Sequence, residues 1–224
     1  GIKETETETC AENGIEYLEI QVAIDGLSVV VNPQADWLDC ITIAELKKIW
    51  EPGSTVAKWS EVNPAWPDEP LALFGADTDS GTFEYFTEVV NGKAKESRTD
   101  YTSNAVDNVL VQGVADNKYA MGYFGYGYYA ENTDRLKALQ IQASDDSECV
   151  APTPETIESG KYAPMARPLF IYVNKASLKK PEVAAFLRYY LSEEGQQMVT
   201  ERKFIRMPSD RLAEMNQLVE AAIA

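Results

Sequence analysis

Two five-residue runs most constrain the fold: Leu27-Ser28-Val29-Val30-Val31 and Leu169-Phe170-Ile171-Tyr172-Val173. Apart from Ser28 they are apolar at odd and even positions alike, so a strand made from either has no face left for water. That pattern belongs to strands covered on both sides by helices. Helical spacing of apolar residues recurs between and after them. It appears at Phe83, Phe86, Val89 and Val90, at Val106, Val109, Leu110 and Val114, at Val183, Phe186, Leu187 and Tyr190, and at Leu212, Met215, Leu218, Val219 and Ala222. Strands alternating with amphipathic helices define an α/β class with mainly parallel sheets. Neither run approaches the roughly 20 residues of a membrane-spanning helix.

Local signals set the expected elements. Residues 3–13 read as a polar helix ended by Gly14. Residues 17–22 and 27–31 read as two strands, broken by Asp25-Gly26. Thr42 with Glu45 forms a capping box for a helix over 43–50, and Ser103 or Asn104 caps the helix carrying Val106 to Val114. Residues 119–129 read as an aromatic strand, and Thr153-Pro154 opens a short helix. Trp37, Trp50, Trp59 and Trp66 are expected to pack and anchor loops rather than stack on a ligand.

The net charge is −16, and hydrophobic and charged residues make up 45% and 25% of the 224 residues. Such a chain repels nucleic acid, so no nucleic-acid partner is expected. Any anion site must be local, built from backbone N–H groups, hydroxyls and an Arg or two. There is no histidine, which removes Ser-His-Asp and Cys-His catalysis and His-based zinc sites. No catalytic residue, metal site or cofactor is expected, and the chain is read as a non-enzyme. Cys10, Cys40 and Cys149 show no CxxC spacing. One disulfide with a leftover thiol, or three buried thiols, both fit, and the sequence does not assign a pair.

The segment Phe74-Gly75-Ala76-Asp77-Thr78-Asp79-Ser80-Gly81-Thr82 holds the richest chemistry. A strand, a turn of small residues and a helix start bring unpaired N–H groups, two hydroxyls and the positive end of a helix dipole to one point. Gly81 removes the Cβ from the path of an approaching oxyanion. Ser97-Arg98-Thr99-Asp100-Tyr101-Thr102 follows in a loop, where Arg98 offers a guanidinium that can grip a tetrahedral anion by two parallel bonds. Each piece alone has a plain alternative: a helix cap for the first, a surface ion pair for the second.

Taken in order, DSGTFEYFTEVVNGKAKESRTDYT, DNVLVQGVADNKYAMGYFGYGYY, IDGLSVVVNP, TIAELKKIW and CVAPTPETIESGKYAPMARPLFIYVNKASLKKPEVAAFLRYYLS resemble the PstS-like periplasmic phosphate-binding proteins of ABC transporters. The likeness runs to about residue 201. It implies a periplasmic-binding-protein type II fold of the Venus-flytrap kind, two lobes joined by hinge strands at 23–32 and 167–174. Lobe 1 would comprise 1–26 and 167–224, and lobe 2 would comprise 27–166. The resemblance implies phosphate held by Ser80, Gly81 and Thr82, with Arg98 as cation and Asp79 and Ser97 as direct or supporting partners. It implies inorganic phosphate and an ABC permease as partners, and a periplasmic or cell-surface location.

Two departures qualify it. Ala76 stands where many members carry an Arg four residues before the Ser of the turn, so the cationic role passes to Arg98 or lapses. Members also begin with roughly a hundred further residues, including an Asp that accepts the proton of bound phosphate. The first lobe is therefore expected to be incomplete, finished by another chain or segment, and the chain alone is expected to discriminate poorly against sulfate. The alternative function is an interaction or structural subunit that has lost its ligand.

Overall fold

The computed structural model describes residues 1–223 and divides into two compact units, Gly1–Asp25 with Arg167–Ala224, and Gly26–Ala166. The chain passes between them along two strands, β1 (Tyr17–Val31) and β9 (Ala166–Asn174).

In the first unit β9 pairs with β1. Around them stand α1 (Glu4–Glu12), a 3-10 turn (Lys175–Lys179), α8 (Pro181–Tyr190), α9 (Glu193–Glu201) and α10 (Ser209–Ile223). Leu18, Ile20 and Val22 of β1 bury against Leu187, Val199, Met215 and Val219 of these helices. Gln196, fully buried, ties the layers together: its amide donates to Val22 O at 3.0 Å and its Oε1 accepts Met207 N–H at 3.3 Å.

The second unit holds β2 (Cys40–Thr42), α2 (Ile43–Trp50), α3 (Trp59–Val62), β3 (Ala72–Ala76), α4 (Gly81–Asn91), β4 (Thr102–Asn104), α5 (Asp107–Ala115), β5 (Ala120–Gly125), α6 (Tyr126–Ala130), β6 (Lys137–Ala138), β7 (Gln140–Gln142), β8 (Cys149–Val150) and α7 (Pro154–Glu158). Its main strand order is β4-β3-β5-β1-β6. β3 lies parallel to both β4 and β5, while β1 runs antiparallel to β5, with Leu27 opposite Gly125 and Val31 opposite Met121. Leu27, Val29, Val30 and Val31 are fully buried, as a strand apolar at every position requires. A smaller sheet, β2-β7-β8, carries the Cys40–Cys149 disulfide, and Cys10 is the free thiol.

The capping box is present: Thr42 Oγ1 accepts Glu45 N–H at 3.0 Å, and Glu45 Oε2 accepts Thr42 N–H at 2.9 Å. Trp50 and Trp59 are buried, and Trp37, Trp59 and Trp66 pack edge to face, so the tryptophans serve packing.

Five expectations are corrected. Asp25-Gly26 does not break the chain into two strands, because β1 is one strand of 15 residues. Asp25 is buried and accepts from Arg167 at 3.3 Å, its carboxyl pushed up by burial against the opposing pull of the guanidinium. Gly26 is small because a Cβ there would lie 2.7 Å from Ile157 Cδ1, so its role is close packing and not a turn. The aromatic strand stops at Gly125, after which Tyr126–Ala130 winds into α6. Ser103 and Asn104 lie in β4, although Asn104 Oδ1 still accepts Val106 N–H at 2.8 Å ahead of α5. Finally, β9 is only half-buried, and α5 turns Leu110, Val111 and Val114 inward while Val106 and Val109 stay exposed.

The Cys40–Cys149 bridge spans 109 residues of chain, a closure that stabilises by about 2–4 kcal/mol. Replacing both cysteines with Ser is expected to lower the stability of the second unit by that amount in urea titration. A thiol reagent on the native protein is expected to modify one thiol per chain, at Cys10.

Candidate functional site

Ser80 is the N-cap of α4, and the turn ahead of it is built by short hydrogen bonds. Asp77 Oδ1 accepts Asp79 N–H at 2.9 Å, and Asp77 O accepts Ser80 N–H at 3.1 Å. Ser80 Oγ accepts Thr82 N–H at 3.0 Å, and Ser80 O accepts Glu84 N–H at 3.1 Å. The Asp, Ser and Gly of the sequence are thus used as turn formers, because short polar side chains bond the backbone two residues on. The turn stands at the carboxyl end of β3 between two parallel neighbours, the position where open α/β sheets place their ligands. Thr78, Asp79 and Gly81 are exposed, and Ser80 and Thr82 are half-buried.

The structure therefore brings Asp79, Ser80, Gly81 and Thr82 together in one exposed turn at a helix N-terminus. It also modifies the donor set. The N–H groups of Asp79, Ser80 and Thr82 already have acceptors within the turn. What the turn offers outward is the hydroxyls of Ser80 and Thr82 and the field of an 11-residue helix. An incoming oxyanion can also take over Thr82 N–H from Ser80 Oγ, trading a neutral acceptor for a charged one.

Arg98, expected as the cation for the anion, and Ser97, expected as a direct or supporting partner, are both engaged elsewhere. Arg98 is 7% exposed and its guanidinium is engaged inside the second unit. Nε and Nη2 donate to the two oxygens of Asp100 at 2.6 and 2.7 Å, and Nη1 donates to Ile49 O at 3.0 Å and Val56 O at 2.8 Å. The side chain so neutralises the carbonyl end of α2, where a cation is favoured. Ser97 Oγ, Arg98 N–H and Asn91 Nδ2 all converge on Trp50 O, at 2.9, 3.1 and 3.2 Å. Asn91 ends α4 and Gly81 starts it, so this knot lies about 16 Å along the helix from the turn.

The parallel register supplies what the sequence reading missed. Ala76 pairs with Asn104 and Gly75 with Ser103, so a hydroxyl and an amide at the end of β4 stand beside the turn. Their reading as helix caps hid them, and only strand pairing could have revealed the neighbourhood. No group of three or more His, Cys, Asp or Glu among the described residues is placed to hold a metal ion.

With fold and turn in view, comparison with known proteins places the chain. The model of the PBP superfamily domain matches residues 1–194, so the chain belongs to the PBP superfamily. Within it the chain is a PstS-like protein with the type II fold. It is 33% identical over 223 residues to phosphate-binding protein PstS of Staphylococcus saprophyticus, covering 99% of this chain and 67% of that one. It is 39% identical over 212 residues to protein SphX of Synechocystis, covering 93% of this chain and 62% of SphX. A crystal structure described as a possible phosphate binding protein from Planctomyces limnophilus superposes with a TM-score of 0.91 at 57% identity, covering all of this chain and 79% of that one. The chain thus spans about 62% of the length of SphX.

Two outcomes are expected for the Arg98 knot. Arg98→Ala leaves two buried carbonyls and Asp100 without their donor, a loss of about 2–4 kcal/mol measurable by urea unfolding. The hydrogen bonds from Arg98 hold the Asp100 carboxyl below its usual range. A depressed carboxylate contributes stability above the unfolded value, near pH 4, and loses it as the pH falls through the folded value. Asp100→Asn is expected to flatten that part of the acid limb while leaving the neutral-to-alkaline limb unchanged.

Proposed function

We propose that this chain binds inorganic phosphate as the substrate-binding component of an ABC phosphate importer, acting outside the cytoplasm and without catalysing a reaction. The observation that carries the reading is the Asp79-Ser80-Gly81-Thr82 turn at the head of α4, in a chain of the PstS-like family. Ser80 and Thr82 donate their hydroxyls to phosphate oxygens, Gly81 keeps the approach open, and the helix dipole supplies positive potential. Asp79, in the turn itself, accepts the ligand's own O–H. Arg98 and Ser97 act at a distance, by holding the loop that leads into β4.

The Cys40–Cys149 disulfide supports an oxidising compartment. The relatives' names, phosphate-binding protein PstS among them, support the ligand. The partner permease and a chain or segment completing the first unit belong to the same reading. The second is supported by an apolar groove of about 330 Å³ in that unit, lined by Leu169, Phe186, Tyr189, Met198 and Phe204.

Titration calorimetry on the whole protein tests this. Phosphate is expected to bind, and Ser80→Ala to weaken it by about 10–100-fold, the worth of a hydrogen bond to a charged group. Asp79→Asn is expected to lower phosphate affinity and spare sulfate. Heat with sulfate and none with phosphate overturns the reading. Absence of heat with both favours the alternative, an interaction subunit that has lost its ligand, in line with the engaged guanidinium of Arg98.

A further inference from the structure

The Ser97-to-Tyr101 stretch carries the densest motif outside the turn, and its guanidinium is occupied within the second unit. We propose that its contribution is Tyr101, a positioning residue that fixes where the anion-binding turn begins; the inference rests on the phosphate reading of that turn. Tyr101 O–H donates to Ala76 O at 3.0 Å. Ala76 is the last residue of β3, and the bonds that shape the turn start at the next residue, Asp77. From Tyr101 a continuous series of bonds runs through Ala76 and Asp77 to Ser80 and Thr82.

Tyr101 is itself held on three sides. Its ring meets Trp50 edge to face at 5.3 Å. Its chain neighbour Asp100 is clasped by Arg98, and Arg98 N–H and Ser97 Oγ are fixed on Trp50 O. Beside it, Tyr123 is fully buried, and its ring leaves Gly75 no room for a side chain: a Cβ there would lie 2.6 Å from Tyr123 Cε1. The final two residues of β3 are thus set by two tyrosines, Gly75 by contact and Ala76 by a hydrogen bond. Hydroxyl donors serve an anion only when held within about 0.5 Å of the productive position. A residue that anchors the start of the turn therefore controls affinity without touching the ligand.

Tyr101→Phe keeps the ring and removes only the donor. On the whole protein it is expected to raise the calorimetric Kd for phosphate by about tenfold, the effect of one hydrogen bond. It is expected to speed amide exchange at Asp79 and Ser80 in the ligand-free protein, a local effect that general destabilisation would not confine there. Tyr162→Phe removes a different buried hydroxyl of the second unit, one that bonds no partner, and is expected to bind phosphate as the unsubstituted protein does. Wild-type Kd and exchange in Tyr101→Phe overturn the proposal while leaving the Ser80 reading intact, provided Ser80→Ala still loses affinity. Equal losses in Tyr101→Phe and Tyr162→Phe also overturn it, since loss of a buried hydroxyl as such then accounts for both. If the unsubstituted protein binds no phosphate, the reading of the turn falls and the role of Tyr101 falls with it.

Discussion

Phe86 of α4 lies flat on Tyr123 of β5, ring centroids 3.7 Å apart, and Trp50 of α2 meets both rings edge-on at 5.5 and 5.0 Å. Large rings have few rotamers and dense contacts, so a stack of this kind resists rotation of any member. Its consequence is directional. α4 cannot swing on the sheet without unstacking Phe86, and β3 cannot slide without driving Gly75 into Tyr123. The turn between β3 and α4 therefore inherits its geometry from a core that no ligand touches.

The electrostatic arrangement follows from the same economy of parts. A chain of net charge −16 attracts an anion only where local dipoles outweigh the overall field. The nearest arginine in sequence, Arg98, is committed to the carbonyl end of α2 and to Asp100. The donors that remain at the head of α4 are neutral, two hydroxyls and aligned peptides, beside the carboxylates of Asp77 and Asp79. Such donors give directionality without the long-range pull of a guanidinium.

The α/β class was legible because residues 27–31 and the helical stripe of Phe83, Phe86 and Val90 each admit one period. The Thr42–Glu45 box and the Thr153-Pro154 start were legible because caps are written within four residues. The turn was legible as a motif, yet its partners were not. Arg98 carries the same letter whether it faces a ligand or the carbonyls of Ile49 and Val56, and only burial distinguishes the two. Asn104 beside Ala76 and Tyr101 beneath it depend on parallel strand register, which sequence spacing does not encode. Gly26 shows the converse error, since a residue chosen for close contact with Ile157 reads in sequence as a break.

The bridge between Cys40 and Cys149 makes a covalent ring out of α2, the turn, the aromatic stack and both small sheet edges. A protease that cuts any single peptide bond on this ring opens it without releasing a piece. Both new ends stay tethered through sulfur, and the cut polypeptide keeps its full mass until a reductant is added. Loops on the ring, such as the Pro-rich stretch around Trp66, can thus be nicked while the second unit stays in one covalent piece, a form of durability suited to a place where proteases are met and reductants are scarce.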